Sequence, residues 1–160
     1  MKAFQRRWLA AAALAGTLPA YATSIDNACS VQTCAAGQKA ITFAEKRDPY
    51  YACPTRELAT YTNFVIGLVS VSATLSGQMP NISDETGEPE YKGETKAMLD
   101  NLRTVARVRT FDQAVAMCAQ GANKLRVTVM NNPADEMVIW VFDAKHNRSF
   151  WMPTIHLNKL

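Results

Sequence analysis

The chain has 160 residues, 48% of them hydrophobic and 19% charged, with a formal net charge of +3. That length fits one compact domain and the apolar share excludes a disordered chain, while 7 Gly and 7 Pro without sustained heptads exclude collagen-like and coiled-coil architectures. The excess of base raises nucleic-acid or anionic-membrane binding, and where that charge sits decides the question.

Residues 1–22 read as a secretory signal peptide. Lys2, Arg6 and Arg7 form a basic start, Trp8 to Leu18 is uncharged and rich in Ala and Leu, and Ala20-Tyr21-Ala22 places small residues where a signal peptidase reads. Cleavage is expected after Ala22. The apolar stretch is about half of the ~20 residues a membrane span needs. Arg6-Arg7 lacks the flanking consensus of a twin-arginine signal, so ordinary export is expected. Export removes Lys2, Arg6 and Arg7 and leaves 14 of the 17 Lys and Arg against 14 Asp and Glu. The mature chain is therefore neutral. Its densest basic run, Arg103, Arg107 and Arg109 with Lys124 and Arg126 beyond, reads as a solvated helix face, and no nucleic-acid partner is expected.

Residues 23–38 read as an extended, cysteine-bearing leader, and residues 39–160 as a single α+β domain. All four cysteines, Cys29, Cys34, Cys53 and Cys118, lie in the exported part, and an even count there predicts two disulfides with three possible pairings. The spacing of Cys29 and Cys34 suits a small local loop, which leaves Cys53 for Cys118. Ala40 to Glu45 alternates, with Ile41 and Phe43 on one face, and predicts a short strand. A helix is expected from Pro54 to about Leu75, with Glu57 near its positive end and Gly77 as its stop.

From Leu58 to Ser83 the chain carries no charge. A membrane component spanning about 58–79 is therefore one alternative. Against it, small and polar residues (Thr60, Asn63, Gly67, Ser70, Thr74) recur at three-and-four spacing opposite Tyr61, Val65, Leu68 and Leu75, the pattern of an amphipathic core helix. The acidic residues Asp84, Glu85, Glu88 and Glu90 also follow on the side that would be cytoplasmic, against the positive-inside bias.

Gln78 to Gly93 reads as a solvated loop. It fails as a calcium loop, because counting from Asn81 the glycine is displaced and the last position is Lys92. Glu94 to Val105 predicts a second helix with Met98, Leu99, Leu102 and Val105 inward. Thr110 and Gln113 suggest a capping box for a third, from Phe111 to Gln120, with Phe111, Val115 and Cys118 as its apolar face. The last forty residues predict an antiparallel three-strand meander. It comprises the alternating segment Leu125 to Met130, the continuously apolar Met137 to Phe142, and Ser149 to Met152, which Pro153 limits to an edge.

Few groups converge for chemistry. No nucleophile elbow, zinc or phosphate-loop motif occurs, and no metal or cofactor is expected. The enzymatic alternative is a small periplasmic enzyme using Cys53, whose place at a helix start would favour a thiolate, or His146 and His156 grouped with Asp143. Asn81 and Asn147 begin glycosylation sequons, relevant only in a eukaryotic secretory pathway, whereas the short alanine-rich leader suggests a bacterial exporter. The distinctive feature is aromatic: Trp140 and Phe142 share one face of the expected central strand, and Trp151 follows on its neighbour. These three are the candidate protein-binding residues. The sequence points to an exported, periplasmic or secreted, non-enzymatic module that binds another envelope protein, as an accessory subunit of an assembly or an immunity-type inhibitor.

Overall fold

The computed structural model describes residues 27–46, 48–133 and 136–160. The signal-peptide reading of 1–22 and the beginning of the leader lie outside the described residues. The elements run in the order β1 (Lys39–Thr42), β2 (Tyr51–Ala52), α1 (Arg56–Ser76), α2 (Gly93–Val105), α3 (Phe111–Ala116), β3 (Ala119–Gln120), β4 (Arg126–Asn131), β5 (Val138–Asp143), β6 (Arg148–Pro153), a 3-10 turn (Thr154–His156) and β7 (Leu157–Lys159).

The α+β class and the three helices agree with the sequence, but the sheet is larger than a meander. Five antiparallel strands pair in the order β6-β5-β4-β1-β7, and β2 and β3 form a separate two-stranded ribbon. The meander is its β4-β5-β6 portion. The chain end returns past Pro153 through the 3-10 turn and adds β7 beside β1. In β1 the deepest burial does not fall on the apolar face of Ile41 and Phe43. Ala40 and Thr42 are buried, and Ile41 and Phe43 are half-buried. The Thr42 hydroxyl is satisfied in the core, donating to the Ala122 carbonyl and accepting from the Leu125 N–H at 3.0 Å, so its burial leaves no unmet polar group.

Two cores result. One lies on the sheet face of Val127, Val129, Ile139, Val141, Phe150, Met152 and Leu157, covered by Tyr50 and by the Cys29–Cys34 loop. The leader is therefore folded back rather than extended: Ala28 bridges Asn158, and the Cys29 N–H donates to the Leu157 carbonyl at 2.7 Å. The other core joins Val138 and Trp151 to α1, Leu99 of α2, Ala106, Val108 and Ala114.

α1 is framed by its ends. Thr55 caps it by accepting from the Leu58 N–H at 3.3 Å, Glu57 faces the positive end, and Gly77 takes a left-handed φ of 70° and donates to the Ala73 carbonyl. Pro54, the expected start, sits one position before this cap, and the helix begins at Arg56. All the buried residues of the helix, Leu58, Ala59, Tyr61, Thr62 and Val65, belong to its first half. In the second half Leu68 is half-buried against the core, and Val71 and Leu75 are exposed.

α2 and α3 depart from their expected faces. Leu99 is buried in α2, but Met98 and Val105 are exposed. α3 ends at Ala116, and Ala119–Gln120 becomes strand because it pairs with Tyr51–Ala52. Thr110 caps α3 as expected, accepting from the Gln113 N–H at 3.2 Å, while the Gln113 side chain accepts from the Arg109 N–H instead of closing a full capping box. The β2–β3 register pairs Ala52 with Ala119, which sets the next residues, Cys53 and Cys118, face to face, and a disulfide joins them. The second disulfide joins Cys29 to Cys34, so both pairings are those favoured by spacing. Two disulfides and no free cysteine point to an oxidising, exported environment.

Candidate functional site

The residues proposed as catalytic are not assembled. Cys53 is disulfide-bonded and buried, so it has no thiol to react. His146 and His156 stand at opposite ends of β6, one in the hairpin before it and one in the turn after it. Asp143 meets only the first. Fully buried at the end of β5, it accepts from the Lys145 and His146 backbone N–H groups, from the His146 ring at 2.5 Å and from Arg148. Burial acts to raise its pKa, but the His146 contacts and Arg148 prevail and hold the carboxyl below its ordinary range. This is a hairpin cap, built to close the β5–β6 turn in which Asn147 adopts a φ of 49°. Among the described residues no group of three or more His, Cys, Asp and Glu is placed to hold a metal ion.

The aromatic candidates do come together. Trp140 and Trp151 are register partners across β5 and β6, stacked with ring centroids 6.3 Å apart and planes inclined by 15°. Phe142 stands on the same face, between Thr128 of β4 and Ser149 of β6. All three are half-buried, and Trp151 packs against the α1 core. Phe150 faces the other way, into the first core beneath the Arg148 guanidinium.

A second apolar surface lies where the sequence suggested core. Leu75 is 82% exposed, Met79 68% and Val71 56%, all on or just beyond the second half of α1. Leu68 still packs against the core, and beyond it the helix turns Val71 and Leu75 to solvent. Its hydroxyls add little polarity, because Thr60, Thr74 and Ser76 donate to the carbonyls of Arg56, Ser70 and Ser72 one turn back. Beside this helix runs a cleft of about 560 Å³, walled by Phe64, Gly67 and Val71 on one side and by Met137, Pro153 and Ile155 on the other.

The neighbouring loop is held by a buried charge network. Glu88, 5% exposed, accepts from the Tyr61 hydroxyl at 2.6 Å and from Arg103, and Arg103 also donates to Asp100 at 2.6 Å. Burial, followed by the hydrogen bond to the Glu88 carboxylate, pushes the Tyr61 hydroxyl well above the ordinary tyrosine range. The network fixes the return loop to both α1 and α2, so the projecting end of α1 is supported at its base. Sequence reading left Glu88 in a solvated acidic loop; its partners are 27 and 15 residues away and no local pattern announces them.

Comparisons with protein-family models, with curated proteins and with solved structures give no match.

Proposed function

We propose that the chain is an exported, non-enzymatic protein-binding module of the cell envelope, serving as an accessory subunit or an immunity-type inhibitor. The observation that carries this reading is the uncharged C-terminal end of α1 and the residues just after it, where Val71, Leu75 and Met79 are exposed. Contiguous apolar surface of this kind marks interaction sites on soluble proteins. The stacked Trp140–Trp151 pair with Phe142, all half-buried, supplies a second surface, this one aromatic. The two disulfides support function outside the cytoplasm.

One observation favours a membrane reading. α1 is long and apolar enough to cross a bilayer by length and composition, with 28% of its apolar window buried in the fold. To span, it would have to withdraw Leu58, Tyr61 and Val65 from the core and break the Tyr61–Glu88 hydrogen bond. That cost favours the docked helix. Carbonate extraction separates the two readings: release into the soluble fraction supports the protein-binding module, and retention in the membrane supports the span.

The direct test uses affinity-tagged chain recovered from its native envelope. The double variant Leu75→Glu/Met79→Glu is expected to lose the partners that wild type retains, without losing helix content. If that variant and the pair Trp140→Ala/Trp151→Ala both kept every partner, neither surface would be the docking site.

A further inference from the structure

We propose that the cleft beside α1 is a ligand site for an elongated aliphatic amine, with the alkyl chain along α1 and the ammonium held by His156 and Asp48. This goes beyond the protein-binding reading and does not depend on it. The cleft, at about 560 Å³, has the size of a small-molecule site, and its lining is mostly apolar with few polar groups. His156 and Asp48 both lie in that lining.

His156 is 6% exposed, and its ring is fixed on two sides. The Tyr50 ring stacks on it at 5.1 Å, and its Nδ1 lies 3.0 Å from the Phe43 carbonyl oxygen. A carbonyl can only accept, so Nδ1 carries a proton and donates to it, and the lone pair of the uncharged ring lies on Nε2. The nearest carboxylate oxygen to Nε2, Asp48 Oδ1, is 3.7 Å away, beyond hydrogen-bond reach. A donor group placed between them would satisfy both.

The other polar side chains of the lining are largely committed elsewhere. Asn63 accepts from the Tyr51 N–H and donates to the Tyr51 and Ala59 carbonyls, Thr60 donates to Arg56, and Thr154 donates to Met137. No Lys or Arg stands among the described lining residues. The polar end therefore offers a lone pair and a negative charge, which suits an ammonium, serves a hydroxyl less well and repels a carboxylate.

The test titrates the exported chain by calorimetry with n-octylamine, n-octanol and octanoate, which share a chain and differ in head group. Octylamine is expected to saturate at one per chain, with octanoate at least about tenfold weaker and octanol between them. Asp48→Asn is expected to abolish the preference for amine over alcohol while leaving alcohol binding in place. Gly67→Leu fills the wall from a position where an added Cβ meets nothing within 4 Å, so it should block all three ligands without lowering the thermal melt. Octanoate binding as tightly as octylamine, equal binding by wild type and Gly67→Leu, or no saturation by octylamine would each overturn the assignment.

Discussion

The Tyr61–Glu88–Arg103 network predicts a stability cost that can be worked from its geometry. Tyr61→Phe removes one hydroxyl that donates at 2.6 Å to a buried carboxylate and changes almost nothing in shape. A hydrogen bond to a charged group contributes about 1.5–3 kcal/mol, and Glu88 keeps Arg103 as a partner, so the expected loss is about 2 kcal/mol. Glu88→Gln leaves an acceptor for Tyr61 but deprives Arg103 of its buried counter-charge. Breaking such a pair costs about 3–5 kcal/mol when the surviving charge is stranded. Arg103 retains Asp100 and some solvent contact, which reduces the expectation to about 2–3 kcal/mol. The assay is urea unfolding followed by tryptophan fluorescence. With a slope of about 2 kcal/mol per molar, Tyr61→Phe should lower the midpoint by about 1 M without altering the slope. The double variant should fall short of the sum, because both changes weaken the one Tyr61–Glu88 hydrogen bond, Phe by removing its donor and Gln by neutralising its acceptor. The raised Tyr61 pKa adds a check with a definite sign. Above about pH 10 the unfolded chain releases the tyrosine proton while the folded one keeps it, so stability is full below that pH and falls as pH rises beyond it. Tyr61→Phe should shallow that alkaline decline. A midpoint shift under about 0.3 M would show that the hydroxyl does not hold the loop, and the reasoning would fail.

Other consequences concern the frame around the site. Removing the Cys53–Cys118 bond by paired Cys→Ser substitution releases a loop of sequence separation 65 and should cost about 4 kcal/mol, against about 2 kcal/mol for Cys29–Cys34, read as the two midpoint shifts in urea. Two glycines should respond in opposite directions. A Cβ at Gly121 would lie 2.3 Å from the Tyr50 ring, so Gly121→Ala should destabilise by about 1–3 kcal/mol; at Gly67 it meets nothing, and Gly67→Ala should stabilise the exposed helix by about 0.5–1 kcal/mol. Asp143 has a lowered pKa, so its contribution is present above about pH 4 and lost as pH falls through the folded value. Asp143→Ala should flatten the acid limb of the stability curve and lower stability at neutral pH by about 2 kcal/mol.

The parts of the fold visible in the sequence are those specified locally. α1 is announced by its start region and Gly77, β4 by alternation, β5 by its continuous apolar run, and the hairpins by the turn residues between them. The rest is set by distant partners. Thr42 looks like an outward residue until Ala122 and Leu125 satisfy its hydroxyl. β7 has three residues and no period of its own, and exists because β1 offers an edge. Glu88 reads as solvated acid because Tyr61 and Arg103 are remote in sequence. The site itself was half legible. Alternation brought Trp140, Phe142 and Trp151 to one face, but the apolarity of Leu75 gave no sign of whether a core would reach it. The burial of His156 was not legible, since Tyr50, which stacks on it, comes from the far end of the domain sequence.

The central claim, that the projecting half of α1 is a docking surface, is tested most directly by placing a photo-crosslinking residue at position 75 in the native envelope, with position 145 in the exposed hairpin as control. A discrete protein adduct at 75, absent at 145 and lost when Val71 and Met79 are changed to Ser, is the expected result. No adduct at 75, or the same adducts at both positions, would contradict it.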